Sequence, residues 1–504
     1  MGTRVETRQG TLEGREEDGV VVFRGIPYAR PPVGPLRFAA PAPPEPWSGV
    51  RRAHDFGPSA VQRPMALPLP GMDVGPMDED CLYLNVTTPA TDDARRPVLV
   101  WIHGGGFVIG SGSQPIYDGA ALARRGDVVV VTLNYRLGPL GFLHLADLCP
   151  ELPDAVANAG VRDQIAALAW VREHAAAFGG DADNVTVFGE SAGGMSVATL
   201  LGAPSARGLF RRALPQSGAA HNVHTRETAT RVARRFLDEL GLSPAEATRT
   251  LRELPPDKLL DSQDQTVLKL GTSLGLLAFQ PVVDGDLLPG APLEAVRRGD
   301  AAGISLLTGT TRDEWRLFGF LDPGIAKLDE AGLRARLARQ VPDPDALVEA
   351  YRSVRRGDAA SPPALFFAIE TDRVFRIPAI RLAEAQQAHQ RETFMYRFDW
   401  ASPAMGGALG ACHAVELPFV FGAAEQPEAA FFSGGGPEAG RLSEQVMDAW
   451  EAFARRGDPS HPGLPGARWD AYEPVHRATF AFGRESALEL DPGSREREAW
   501  EGLL

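Results

Sequence analysis

Short runs dense in β-branched and aromatic residues recur along the chain, at Val98–Ile102, Val128–Leu133, Val185–Phe188, Ile304–Thr308, Phe394–Phe398 and Thr479–Phe482. Near-continuous apolar character over so few residues marks strands buried on both faces. Helical patterns lie between several of them. Val161–Phe178 sets Ile165, Leu168, Ala169 and Val171 on one face, and Ser443–Arg455 carries Val446, Met447, Trp450 and Phe453 at helical spacing before Gly457. Strands alternating with helices predict an α/β fold: a large, mostly parallel central sheet with helices on both faces.

No internal repeat and no linker of shifted composition divides the 504 residues. One domain over 1–504 is therefore expected, with insertions at about 58–78, 220–300 and 316–390 as lid or regulatory subregions around a gorge. Gly (54) and Pro (42) together stay below the roughly 25–30% that marks disorder, so most loops are expected to be ordered. The Pro- and Gly-rich stretch 58–78 has the length of a functional lid. Residues 424–440 read as a mobile surface segment.

The charge balance, Lys+Arg 51 against Asp+Glu 65, gives −14. That argues against broad nucleic-acid binding and against anchoring on an anionic membrane. No apolar run reaches the roughly 18 residues of a membrane helix, and Met1–Arg8 contains no apolar leader core. Cys81, Cys149 and Cys412 form neither a disulfide framework nor a CxxC metal pair. These features predict a cytoplasmic chain with no cofactor and no metal, monomeric or at most weakly self-associating.

The sharpest chemical signal is Gly189-Glu190-Ser191-Ala192-Gly193-Gly194, set between the strand Val185–Phe188 and the helix-compatible run Met195–Leu201. A GxSxG in that context puts the serine on a strained turn with its hydroxyl above the sheet, and the glycines let neighbouring backbone approach. Upstream, His103-Gly104-Gly105-Gly106-Phe107 follows the strand Val98–Ile102. Such a loop presents backbone N–H groups to an oxyanion, with the N–H of Ala192 as the second source. A phosphate loop is disfavoured because no Gly-Lys-Ser/Thr follows. His103 precedes the glycines and is expected to order the loop by hydrogen bonding.

A serine nucleophile needs a base, and histidine has the suitable pKa. The order serine, acid, histidine leaves His221, His224, His389, His413, His461 and His476. His413 stands out in the loop Gly410–Phe419 that follows the strand Phe394–Phe398. The acid falls in Thr308–Trp315, after the strand Ile304–Thr308, where Asp313 and Glu314 are both open.

Together these motifs resemble those of bacterial type-B carboxylesterases, in the carboxylesterase/cholinesterase branch of the α/β-hydrolase fold. Further matches are Phe23–Ala29, Pro31–Gly34, Glu79–Asn85, Asn134–Gly138, Phe178–Asp181 and Gln216–Gly218. The resemblance implies Ser191 as nucleophile, Glu314 as acid and His413 as base. It implies Gly105, Gly106 and Ala192 as the oxyanion hole, and Glu190 and Ser217 as neighbours supporting the triad. The activity it implies is hydrolysis of small uncharged esters with short- to medium-chain acyl or aryl groups. Relatives that serve as silent scaffolds usually lack a triad residue, whereas all three positions are filled here. Amide or carbamate cleavage would use the same machinery.

Two departures from that family stand out. The cysteine matching Cys81 is bridged to an upstream cysteine in secreted animal relatives, and no cysteine precedes Cys81 here. Trp315 stands where relatives commonly have glycine, so it is expected to narrow the space behind Glu314 or to wall the pocket. Other candidate walls are Phe107, Leu276, Leu277, Phe318, Phe320, Met405 and the 58–78 loop.

Overall fold

The structure, a computed structural model, describes residues 2–64, 71–152, 154–274, 277–319 and 322–503. Its strands are β1 (Arg4–Thr7), β2 (Gly10–Glu13), β3 (Arg15–Glu17), β4 (Val20–Pro27), β5 (Val50–Arg52), β6 (Tyr83–Thr88) and β7 (Arg96–Ile102). They continue with β8 (Val129–Leu133), β9 (Gly180–Glu190), β10 (Arg212–Gln216), β11 (Ser305–Thr311), β12 (Thr393–Phe398), β13 (Ala478–Phe482) and β14 (Ala487–Leu490). Strands β1, β2 and β5 make a small separate sheet. The other 11 form one sheet in the order β14-β13-β12-β11-β10-β9-β7-β8-β6-β4-β3. From β8 through β13 every pairing is parallel, while β6, β4 and β3 at one end and β14 at the other run antiparallel.

The apolar runs become the middle of this sheet because it is covered twice. Along β7, Val98, Val100 and Ile102 enter one core while Leu99 and Trp101 enter the core on the opposite face. The first face is covered by the helices Ala159–His174 and Ala192–Leu201, through Val161, Leu168, Val197 and Leu200. The second is covered by the helix Gly436–Arg456, whose Val446, Trp450 and Phe453 join the core around Trp101 and Phe188. A third core unites the helices of the 330–387 region with Trp500.

The long helix begins seven residues before the sequence pattern predicts, at Gly436. Part of 424–440 is therefore core and not mobile surface: Ala429, Phe432 and Ser433 are buried, and Ser433 accepts from Gly435 N while its hydroxyl donates to Ala424 O. The described part of 58–78 is anchored as well. Ser59 bonds Ser111, and Gln62 both donates to and accepts from the backbone of Gly110. This leaves the segment stitched to the end of the glycine loop.

Strands β8 and β9 flank β7 on opposite sides, so strand order reverses there. Open α/β sheets carry their crevice at the carboxyl ends beside such a reversal. Just past β8, Arg136 is buried and grips Asp163 of the helix Ala159–His174 with two contacts of 2.7 and 2.8 Å, while its third nitrogen donates to Ala39 O. Removing one partner of such a pair strands a charge in the core. Asp163→Ala is expected to lose about 3–5 kcal/mol, read as a lowered denaturant midpoint against wild type. An unchanged midpoint would show that water reaches Arg136.

Candidate active site

Ser191 directly follows β9 and opens the helix Ala192–Leu201 with φ 57° and ψ −125°, outside the regions an L-residue prefers. Such backbone costs about 1–3 kcal/mol and persists only where the surroundings enforce it. Here the enforcement is main-chain crowding. A Cβ on Gly189 would stand 2.5 Å from Ile102 O, and one on Gly193 would stand 2.0 Å from the same oxygen. Ser191 N also donates to Gln216 O at the end of β10. The turn is thus wedged between β7 and β10.

The glycine loop packs on this turn. A Cβ on Gly104 would lie 3.1 Å from Ser191 Cβ and 2.7 Å from Glu190 O. Gly105 and Gly106 take φ of 104° and 61°, which turn the backbone sharply beside Ser191. His103 anchors the loop as the sequence suggested. Its Nδ1–H donates to Gly104 O at 2.8 Å, its ring stacks on Tyr135, and burial lowers its pKa to about 4, leaving it neutral.

Glu314 follows β11 and is fully buried. One carboxylate oxygen accepts from Thr311 N at 2.8 Å and the other from His413 Nδ1 at 2.6 Å. Asp313 has a different task. It accepts from Ala411 N at 2.9 Å, and its own N–H donates back to Ala411 O at 2.8 Å. The two acids that sequence leaves open are thereby distinguished: Glu314 meets the imidazole, and Asp313 clips the loop that carries it.

The far nitrogen of His413, Nε2, lies 3.1 Å from Glu190 Oε1 at an angle outside a hydrogen bond. Burial opposes charge on this ring. The carboxylates of Glu190 and Glu314 outweigh it and raise the pKa to about 9. Glu190 is itself pushed up to about 7, first by burial and then by Glu314, against the pull of His413. A third buried acid, Glu416, is held well above the usual carboxylate range by burial and by the other two charges. It accepts from Gln216 Nε2 at 3.4 Å. Sequence reasoning passed over Glu416, although a lone acid within Ala414-Val415-Glu416-Leu417-Pro418-Phe419 was a visible signal. Ser217 is buried at φ 47°, and its hydroxyl has no partner among the described residues.

Of the expected walls, Phe318 meets the site, with its ring 5.1 Å from that of His413. Trp315 packs on Phe318 at 4.9 Å, and Leu277 approaches Gly106. Phe107 and Met405 are placed differently from Phe318. Phe107 is fully buried against Phe142 and serves the core, because positive φ turns it under the loop. Met405 is 61% exposed on a left-handed turn. Leu276 and Phe320 lie outside the described residues. A cavity of about 480 Å³ lies apart from this cluster, between the antiparallel strands and the 112–119 loop, where Asn85, Thr132, Tyr117 and Gln426 line it.

The carboxylesterase family pattern matches residues 2–500. The chain is 42% identical to the para-nitrobenzyl esterase of Bacillus subtilis (strain 168), over 98% of this chain and 97% of that one. It is 39% identical to the phenmedipham hydrolase of Pseudarthrobacter oxydans, over 95% of each. A carboxylesterase structure from Geobacillus stearothermophilus superposes with a TM-score of 0.89 at 45% identity, covering 99% of this chain and 100% of that one. The fold is that of the α/β-hydrolases.

The charge cluster has a measurable consequence. Glu190→Gln removes a carboxylate that favours the imidazolium, so the pKa of His413 is expected to fall, as followed by imidazole NMR titration. A pKa that stays put would mean that Glu190 is neutral across the titration.

Proposed function

Because this chain belongs to the carboxylesterase family and is a carboxylic-ester hydrolase, we propose that it cleaves small uncharged esters through Ser191, His413 and Glu314 by way of an acyl-enzyme. The observation that carries this reading is the 2.6 Å contact between His413 Nδ1 and the buried Glu314 carboxylate. It stands at the carboxyl ends of the strands, beside the strained turn of Ser191.

His413 in its neutral form takes the proton of Ser191 as Oγ attacks the ester carbonyl. Glu314 holds the tautomer with Nδ1 protonated and stabilises the imidazolium that forms. The N–H groups of Gly105, Gly106 and Ala192 receive the oxyanion, each donor being worth about 3–4 kcal/mol in comparable sites. His413 then returns its proton to the departing alcohol. Water repeats the cycle on the acyl-enzyme and releases the acid.

No hydrogen bond joins Ser191 Oγ to His413 among the described residues. Such contacts are commonly loose before substrate binds and tighten with it. Glu190 supports the imidazolium from the Nε2 side, and Ser217, just past β10, is the second supporting neighbour of the triad in this reading. Three buried carboxylates surrounding the base favour uncharged substrates over anionic ones, and the rings of Phe318 and Phe375 beside it favour acyl or aryl groups. No described helix is long and apolar enough to cross a membrane. The three buried, unpaired cysteines support a reducing, cytoplasmic setting.

The test is turnover of p-nitrophenyl esters from acetate to decanoate by wild type, Ser191→Ala and Glu314→Gln. Ser191→Ala is expected to lower kcat by at least about 10³-fold, as in comparable triads. Glu314→Gln is expected to lose about 10⁴-fold through the wrong tautomer. Wild-type turnover is expected to peak at short or medium chains. Most activity surviving in Ser191→Ala would overturn the nucleophile, and absent ester turnover by folded wild type would redirect the reading to amides and carbamates.

A further inference from the structure

Between the helices Pro362–Thr371 and Ile377–Gln387, five residues, Asp372–Arg376, wind as a π-helical turn. A π turn is poorer than an α turn in geometry and survives where something else favours it. Here a buried network fixes the turn. The Asp372 carboxylate accepts from Arg376 Nε at 2.6 Å and from the hydroxyl of Tyr351. Trp500 Nε1 donates to that hydroxyl at 2.8 Å, and Arg376 reaches on to Pro492 O at 3.1 Å. One residue earlier, Thr371 Oγ1 accepts from Trp315 N, the residue after Glu314.

The extra residue in the turn delivers one side chain to the site. Phe375, 3% exposed, sets its ring 4.9 Å from the imidazole of His413 and 6.0 Å from Phe318, nearly parallel to it. His413 is thus bounded by two phenyl rings, tethered at Nδ1 by Glu314, and left with Nε2 toward the Glu190–Ser191 side.

We propose that Phe375, presented by this anchored π turn, is a positioning residue that holds the His413 ring at the tilt from which Nε2 reaches Ser191. The inference rests on the triad reading above. Without the phenyl group the imidazole gains room to tip away from Ser191 while its tether to Glu314 survives. Misplacement on the scale of 1 Å can cost about 10²-fold in rate.

The experiment compares Phe375→Ala, Phe375→Leu and Tyr351→Phe with wild type and Ser191→Ala, all on p-nitrophenyl butyrate. Phe375→Ala is expected to lose about 10–100-fold in kcat with KM changed less than about threefold, and to broaden or shift the low-field Nδ1–H proton resonance of His413. Phe375→Leu keeps a bulky apolar group against the ring and is expected to recover most of the loss. Tyr351→Phe, remote from the imidazole, is expected to shift the same resonance by loosening the turn. The inference is overturned by Phe375→Ala with wild-type kcat and resonance, or by a loss that appears only in KM. It is also overturned if Leu recovers nothing although its unfolding midpoint matches wild type. Should Phe375→Ala fail to fold, Tyr351→Phe decides: a folded variant with wild-type kcat and an unmoved His413 resonance overturns the inference. Activity surviving in Ser191→Ala would instead indict the triad itself, so the two failures read differently.

Discussion

Everything at this site depends on one steric fit: the turn at Ser191 lodged between the carboxyl ends of β7 and β10. The turn holds a backbone conformation that serine would not choose, and it does so because Ile102 O and Gln216 O press on it from either side. Those oxygens are where they are because β7, β9 and β10 are paired in register over their buried lengths. The sheet's hydrophobic burial therefore supplies the force that keeps the turn strained. The glycine loop and Glu190 take their positions from the same wedge, and His413 takes its position from Glu190 and Glu314.

The second organising constraint is electrostatic. One imidazole sits among three buried carboxylates, Glu190, Glu314 and Glu416. Desolvation would neutralise every member if it were alone. Together they bias one another: Glu190 and Glu314 raise the imidazole against burial, and burial with the neighbouring charges raises Glu190 and Glu416. The cluster is thereby disposed to stabilise the imidazolium that forms when the base takes up a proton.

Much of this was legible in sequence where a local rule decides. The buried strands were found because parallel strands lose their alternation, and Ser191 because only glycines tolerate its neighbours. His413 was marked by its address, and Glu314 by resemblance; the spacing of Asp313 and Glu314 could not separate them, since their difference lies in which one faces Ala411. What escaped were features created by distant packing. The short β10 carries too little pattern of its own, whereas Val20–Phe23 of β4 is a β-branched run that the reading passed over. The burial of Phe107 at positive φ cannot be read from its residue type. The start of the long helix at Gly436 was hidden by helix-poor glycines that its buried neighbours override.

The crowding at Gly189 and Gly193 has an evolutionary corollary. What blocks a side chain there is main chain, Ile102 O in both cases, and main chain has no smaller substitute. No second mutation elsewhere can make room, so the turn offers lineages no compensating path. Diversification in what such an enzyme accepts is thereby channelled away from the sheet's edge and into the inserted helices, where Phe318 stands beside the base on a side chain rather than on main chain.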